Sequence, residues 1–96
     1  MSPNNKKKLI KLRRSLDKLD NSFIKLIKKR TSLVNQVLNL KENKKEIVDK
    51  KRINHILKQI RKKSIKNKID PKITFRIWKN MIYSYIDYER RNFKKK

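Results

Sequence analysis

A chain of 96 residues without Cys or Gly is short enough that one hydrophobic core leaves little stability margin, and it has neither a disulfide framework nor a thiolate metal site to add to it. Its formal charge of +23 invites a polyanion, because clustered Lys and Arg hold phosphate chains without reading sequence; yet Lys, Ile and Asn dominate and Ala is missing altogether, a bias that AT-rich codons produce as readily as selection does. The expectation is a single domain, residues 1–96, supported by a partner subunit in a reducing cytoplasm: the basic start, Met1 to Arg14, meets no apolar segment with a small-residue cleavage site, and no stretch nears about 18 consecutive apolar residues.

The spacing predicts an all-α fold of three helices, one long and two shorter. From Leu9 to Leu40 apolar residues recur at Leu12, Leu16, Leu19, Phe23, Leu26, Leu33, Val37 and Leu40, the three-four rhythm of one helix face. Glu42 to Glu46 is polar and reads as a loop. A second helix follows from about Val48 to Lys63 with Ile53, Ile56, Leu57 and Ile60 inward, and Ser64 to Lys72 reads as another connection. Asp70 and Pro71 form an N-cap followed by a first helical residue, opening a third helix with the stripe Ile73, Ile77, Trp78, Met81, Ile82, Tyr85 and Ile86. Phe93 to Lys96 are expected to fray. At about 1.5 Å per residue the first helix reaches about 50 Å and the others about 25 and 33 Å. The short helices cannot cover the long apolar stripe, so a second copy is expected along it, in an intertwined two-fold dimer.

One position breaks the long seam: Arg30 stands where the rhythm demands a hydrophobe. A buried guanidinium needs an anion, from the protein or from a ligand. For a single misplaced Arg the bland reading is that it snorkels out or pairs with Asp20. Arg13 begins the same face and Lys41 ends it, however, and eight acids cannot neutralise thirty-one cations. Asp49 and Arg52, three apart, can share a face of the second helix as an ordinary surface pair. Glu89 follows Tyr85 by one turn at the end of an apolar stripe, where a carboxyl could hold or lend a proton. Other chemistry is poorly supplied. His55 is the only His and has no second ligand at metal spacing. No Gly-rich phosphate loop can exist without Gly. Ser15, Ser22, Ser32, Ser64 and Ser84 have no visible activating base, and Trp78, Tyr83, Tyr85 and Tyr88 read as packing residues before a base-stacking platform.

The segment LRRSLDKLDNSFIKLIKKRTSLVNQVLNLK, Leu12 to Lys41, resembles the first helix of the AroQ-type chorismate mutases; IVDKKR, Ile47 to Arg52, resembles the start of their second helix, and FRIWKNMIYSYIDYE, Phe75 to Glu89, their third. The resemblance covers nearly the whole chain and implies a homodimer without metal or cofactor that rearranges chorismate to prephenate. It implies that Arg13 reaches the site of the partner subunit, that Arg30 and Arg52 bind the two substrate carboxylates, that Lys41 and Glu89 aim at the ether oxygen, and that Asp49 lies near the ring hydroxyl. Ile53 stands where the mutases usually carry Glu, and Tyr85 where they often carry Ser. Both are similar to the related isochorismate-pyruvate lyases, which leaves that activity as an alternative beside a basic helical nucleic-acid-binding protein. Many members carry Gln in place of Glu89. A carboxyl can donate to an ether oxygen only when protonated, so the resemblance implies activity that increases toward acid pH.

Overall fold

The computed structural model describes residues 1–95, which are helical apart from their connections: α1 spans Pro3–Leu40, a single 3₁₀ turn Lys44–Glu46, α2 Lys50–Lys66 and α3 Pro71–Asn92. Two compact units make up the chain, Met1–Val34 and the residues from Asn35 onward.

The first unit is a run of α1 alone. It starts six residues before the apolar rhythm does, because Ser2 caps it: the Ser2 hydroxyl accepts from the Asn5 amide at 3.1 Å, and Pro3 supplies a preset first helical residue. The cap signal stood outside the periodic stretch from which the start at Leu9 was read. Leu12, Leu16, Leu19, Phe23 and Leu26 all remain exposed within the chain, Phe23 at 61%. Ser15 and Ser22 donate to the carbonyls of Lys11 and Lys18, one turn earlier in their own helix.

The second unit has a small core. Leu38 at the end of α1, Ile47 in the following loop, and Ile82 and Ile86 of α3 are buried together, with Val48, Ile53, Ile56, Leu57 and Phe93 packed against them. Ile53, Ile56 and Leu57 of the expected inward face of α2 are thus observed in the core, Ile60 is partly buried, and on α3 Trp78, Met81 and Tyr85 are at least half-buried. Ile73 and Ile77, expected on the same stripe, stay more than half exposed. They sit nearly half a turn around α3 from the line through Ile82, Ile86 and Glu89. Phe93 does not fray; it closes the core from beyond α3. Lys96, also expected to fray, lies outside the described residues.

The second helix continues past the expected end at Lys63 to Lys66, because Ser64 is not a linker residue. Its hydroxyl donates to the Ile60 carbonyl at 2.6 Å and shares a hydrogen bond with the Thr74 hydroxyl at 2.6 Å, which ties α2 to α3 and lets a polar side chain sit at 3% exposure. The helix then ends in a Schellman arrangement: the Ile69 amide donates to the Ser64 carbonyl at 2.8 Å and the Lys68 amide to that of Ile65 at 3.1 Å. That arrangement needs a residue in the left-handed region. In a chain without Gly the position falls to Lys68, with φ 58°. A Cβ costs about 1 kcal/mol there. Lys68→Gly is therefore expected to stabilise the protein by about 0.5–1 kcal/mol in urea unfolding and Lys68→Val to destabilise it; a loss of stability on Lys68→Gly would contradict the strain.

Candidate active site

Lys41 is the first residue beyond α1, held there by a backbone hydrogen bond from its amide to the Leu38 carbonyl at 3.1 Å. Glu89 lies on α3 three residues after Ile86, on the same buried line, and is itself only 7% exposed. The Lys41 Nζ donates to the Glu89 Oε1 at 2.9 Å, with 17% and 9% of the two side chains exposed. A carboxylate at that depth is tolerable only with a cation beside it, and the ammonium supplies both the charge and the hydrogen bond. A pair this enclosed is also a place where an incoming polar group could exchange partners with either member.

The backbone around the pair is fixed from several directions. The Tyr88 hydroxyl donates to the Asn35 Oδ1 at 2.8 Å, joining α3 beside Glu89 to the last part of α1. The Tyr85 and Tyr88 rings meet edge to face, with centroids 6.3 Å apart, a preferred aromatic geometry. Beyond α3 the Lys95 ammonium donates to the Asn39 carbonyl at 2.7 Å, two residues before Lys41. These contacts leave no local signal in the sequence. Asn35 is one of many Asn on a polar face, and no local spacing links it to a residue 53 positions later.

The loop after Lys41 is built as carefully. Asn43 Oδ1 accepts from the Lys45 amide at 3.0 Å, and the Glu46 carboxylate accepts from the amides of Asn43 and Glu42, the two halves of a capping box. The Asn43 amide first, then that of Glu42, holds the Glu46 carboxyl below its ordinary range, with Lys41 and Lys95 adding attraction. The Asn-x-x-Glu spacing carried this signal, although the segment read only as a polar loop. Asp49 is the N-cap of α2: its Oδ1 accepts from the Arg52 amide at 3.0 Å. The expected kinship of Asp49 and Arg52 thus takes the form of a cap, a hydrogen bond to the Arg52 backbone.

Lys41 and Asp49 line one open depression together with Glu46 and Val48. Lys41, Glu89 and Asp49, with Tyr85 one turn before Glu89, therefore belong to one neighbourhood of the second unit, and the Arg52 side chain is exposed at the start of α2. In the first unit Arg13 is exposed and Arg30 half-buried. His55 is exposed on α2. Ser64 and Ser84 spend their hydroxyls on carbonyls four residues earlier, as Ser15 and Ser22 do, which is the habit of helical serines without a catalytic base. No helix among the described residues is long and apolar enough to cross a membrane.

An all-helical chain whose third helix carries a buried carboxylate, clasped by a lysine from the end of a long first helix, defines a narrow class of fold and site. The model of the family chorismate mutase type II matches residues 12–90, and the chain belongs to that family, the AroQ type. No curated protein and no solved structure matches it. The match begins at Leu12 and ends at Arg90, so it takes in Arg13, Arg30, Lys41, Asp49, Arg52, Tyr85 and Glu89.

Proposed function

We propose that the protein is a chorismate mutase, converting chorismate to prephenate in the biosynthesis of phenylalanine and tyrosine. The observation that carries this reading is the enclosed Lys41–Glu89 pair at 2.9 Å in a chain of this family. The reaction is an intramolecular pericyclic rearrangement in which a C–O bond breaks as a C–C bond forms, so negative charge grows on the ether oxygen and no nucleophile is required. Lys41 is a fixed cation for that oxygen, and Glu89, when protonated, a second donor. The two satisfy each other in one hydrogen bond, and the ether oxygen of a bound substrate takes the place of one partner in it. Arg30 and Arg52 are assigned to the two carboxylates, Asp49 to the ring hydroxyl, and Tyr85 to the wall beside Glu89. Holding the substrate in a compact conformer and placing donors at the developing charge are effects that lower a barrier by several kcal/mol.

The assignment includes an intertwined two-fold dimer, with Arg13 contributed to the site of the second copy. Leu12, Leu16, Leu19, Phe23 and Leu26 support it, because they form an apolar stripe that the chain leaves exposed. Burying such side chains is worth about 1.5–3 kcal/mol each, which makes an unpartnered stripe an unstable surface. Sedimentation equilibrium is expected to give about twice the 11.8 kDa of one chain; a monomer at micromolar concentration would remove the shared site.

A second reading, isochorismate-pyruvate lyase, is favoured by Ile53, which packs against the core where a hydroxyl-binding carboxylate would otherwise stand, and by Tyr85, whose ring is held edge to face against Tyr88. Parallel assays of the purified protein on chorismate and isochorismate distinguish the two. Prephenate formation is expected, falling about 100-fold or more in Arg30→Ala. Pyruvate release from isochorismate at higher efficiency would move the assignment to the lyase, and turnover of neither would end both.

A further inference from the structure

Lys7, Lys11, Arg14, Lys18, Lys25 and Lys29 recur along α1 at steps of four, three, four, seven and four residues, and every one of them is exposed. At about 100° of rotation and 1.5 Å of rise per residue they fall on one strip about 60° wide and about 33 Å long. Asn21, Ser22 and Ser32, polar and uncharged, lie along or beside it. The acids of this helix, Asp17 and Asp20, lie about 60° and 120° beyond the strip's edge at Arg14, and the apolar stripe through Leu12, Leu16, Leu19, Phe23 and Leu26 is centred about 130° from its midline. A second copy seated on the apolar stripe would leave the strip in water. Among the described residues none of these six cations makes an ion pair.

Such a strip is unfavourable to the helix that carries it. Like charges one turn apart destabilise a helix, and neighbours about 5 Å apart along the axis lie within the screening length of about 8 Å at physiological salt. A linear anion relieves that repulsion along its whole length and releases its own counterions as it docks. We propose that this strip of α1 is a track for the phosphate backbone of a nucleic-acid duplex, bound without regard to sequence and through none of the residues assigned to chorismate.

The composition of the strip selects this occupant. It presents no aromatic ring on which an unpaired base could stack, so single strands gain nothing beyond charge. It contains no apolar residue, whereas a helix that lies on a membrane inserts an apolar face flanked by its cations. A duplex offers one phosphate charge per about 1.7 Å of axis and a major groove about 12 Å wide, close to the diameter of a helix with its side chains. Neutralising four to six phosphates gives an expected slope of log K against log salt of about −4 to −5.

Fluorescence anisotropy of the full-length protein with labelled 20-base-pair duplexes, in roughly 50–300 mM NaCl, tests the track. The wild type is expected to show that slope, with two unrelated sequences bound within about threefold of each other. The triple variant Lys11→Glu/Lys18→Glu/Lys25→Glu is expected to bind about 100-fold more weakly at 100 mM salt, and Lys58→Glu/Lys62→Glu/Lys72→Glu, with the same change in charge on α2 and α3, less than about fivefold more weakly. Circular dichroism checks that both triples fold; should the first fail, Lys11→Gln/Lys18→Gln/Lys25→Gln takes its place with the same expectation at about tenfold. Equal weakening by the two triples would assign the binding to net charge and overturn the track. Tighter binding to vesicles containing 30% phosphatidylserine than to duplex at equal salt would replace the nucleic acid with a membrane surface.

Discussion

Lys41 and Glu89 are taken out of water together, and much of the second unit exists to make that possible. The 2.9 Å contact between them sits where the end of α1, the following loop and α3 converge. Neither charge could be buried there alone. The apolar core of Leu38, Ile47, Ile82 and Ile86 supplies the dry wall, and the buried line of α3 runs directly from Ile86 to Glu89. In the proposed reaction this lysine and carboxyl are the cation and the donor that the ether oxygen meets, already held in place by the surrounding fold.

The means of holding the pair are mostly polar and local. Tyr88 fastens to Asn35, Lys95 to the Asn39 carbonyl, Glu46 to the amides of Glu42 and Asn43, and Asp49 to the amide of Arg52. Each tie lies within a few residues of Lys41, Glu89 or the start of α2. A short chain with few fully buried apolar residues uses hydrogen bonds where a larger protein would use a bigger core. Lys68 in the left-handed region is the counterpart of that economy: without Gly, the turn between α2 and α3 accepts strain.

Much of this was readable in the sequence. The three helices follow from apolar rhythm, the start of α3 from Asp70 and Pro71, and the burial of Lys41 and Glu89 from charges standing on apolar faces. Family membership, read from the ordered motifs between Leu12 and Glu89, is met by the match over residues 12–90. What escaped has physical reasons. Ser2 and Ser64 act through caps and back-bonds that leave no periodic trace, so α1 was drawn too short at its start and α2 at its end. Ile73 and Ile77 have the right residue type but the wrong angle around α3. The Asn35–Tyr88 bond joins residues far apart in the chain, and only folding brings them within reach.

Charge has two readings in this protein, and they concern different surfaces. Scattered lysines on α2 and α3 are solvated side chains; Lys41 is enclosed against a carboxylate, and the regular strip on α1 is a surface of its own. In the proposed reaction Glu89 donates to the ether oxygen, which a carboxyl does only with its proton on. The most direct measurement is kcat/KM for prephenate formation across about pH 5 to 8 for the wild type and Glu89→Gln, whose amide donates at every pH. The account predicts a wild-type value that rises as pH falls and a flat, active profile for the Gln variant. A flat wild-type profile, unchanged by the substitution, would contradict it.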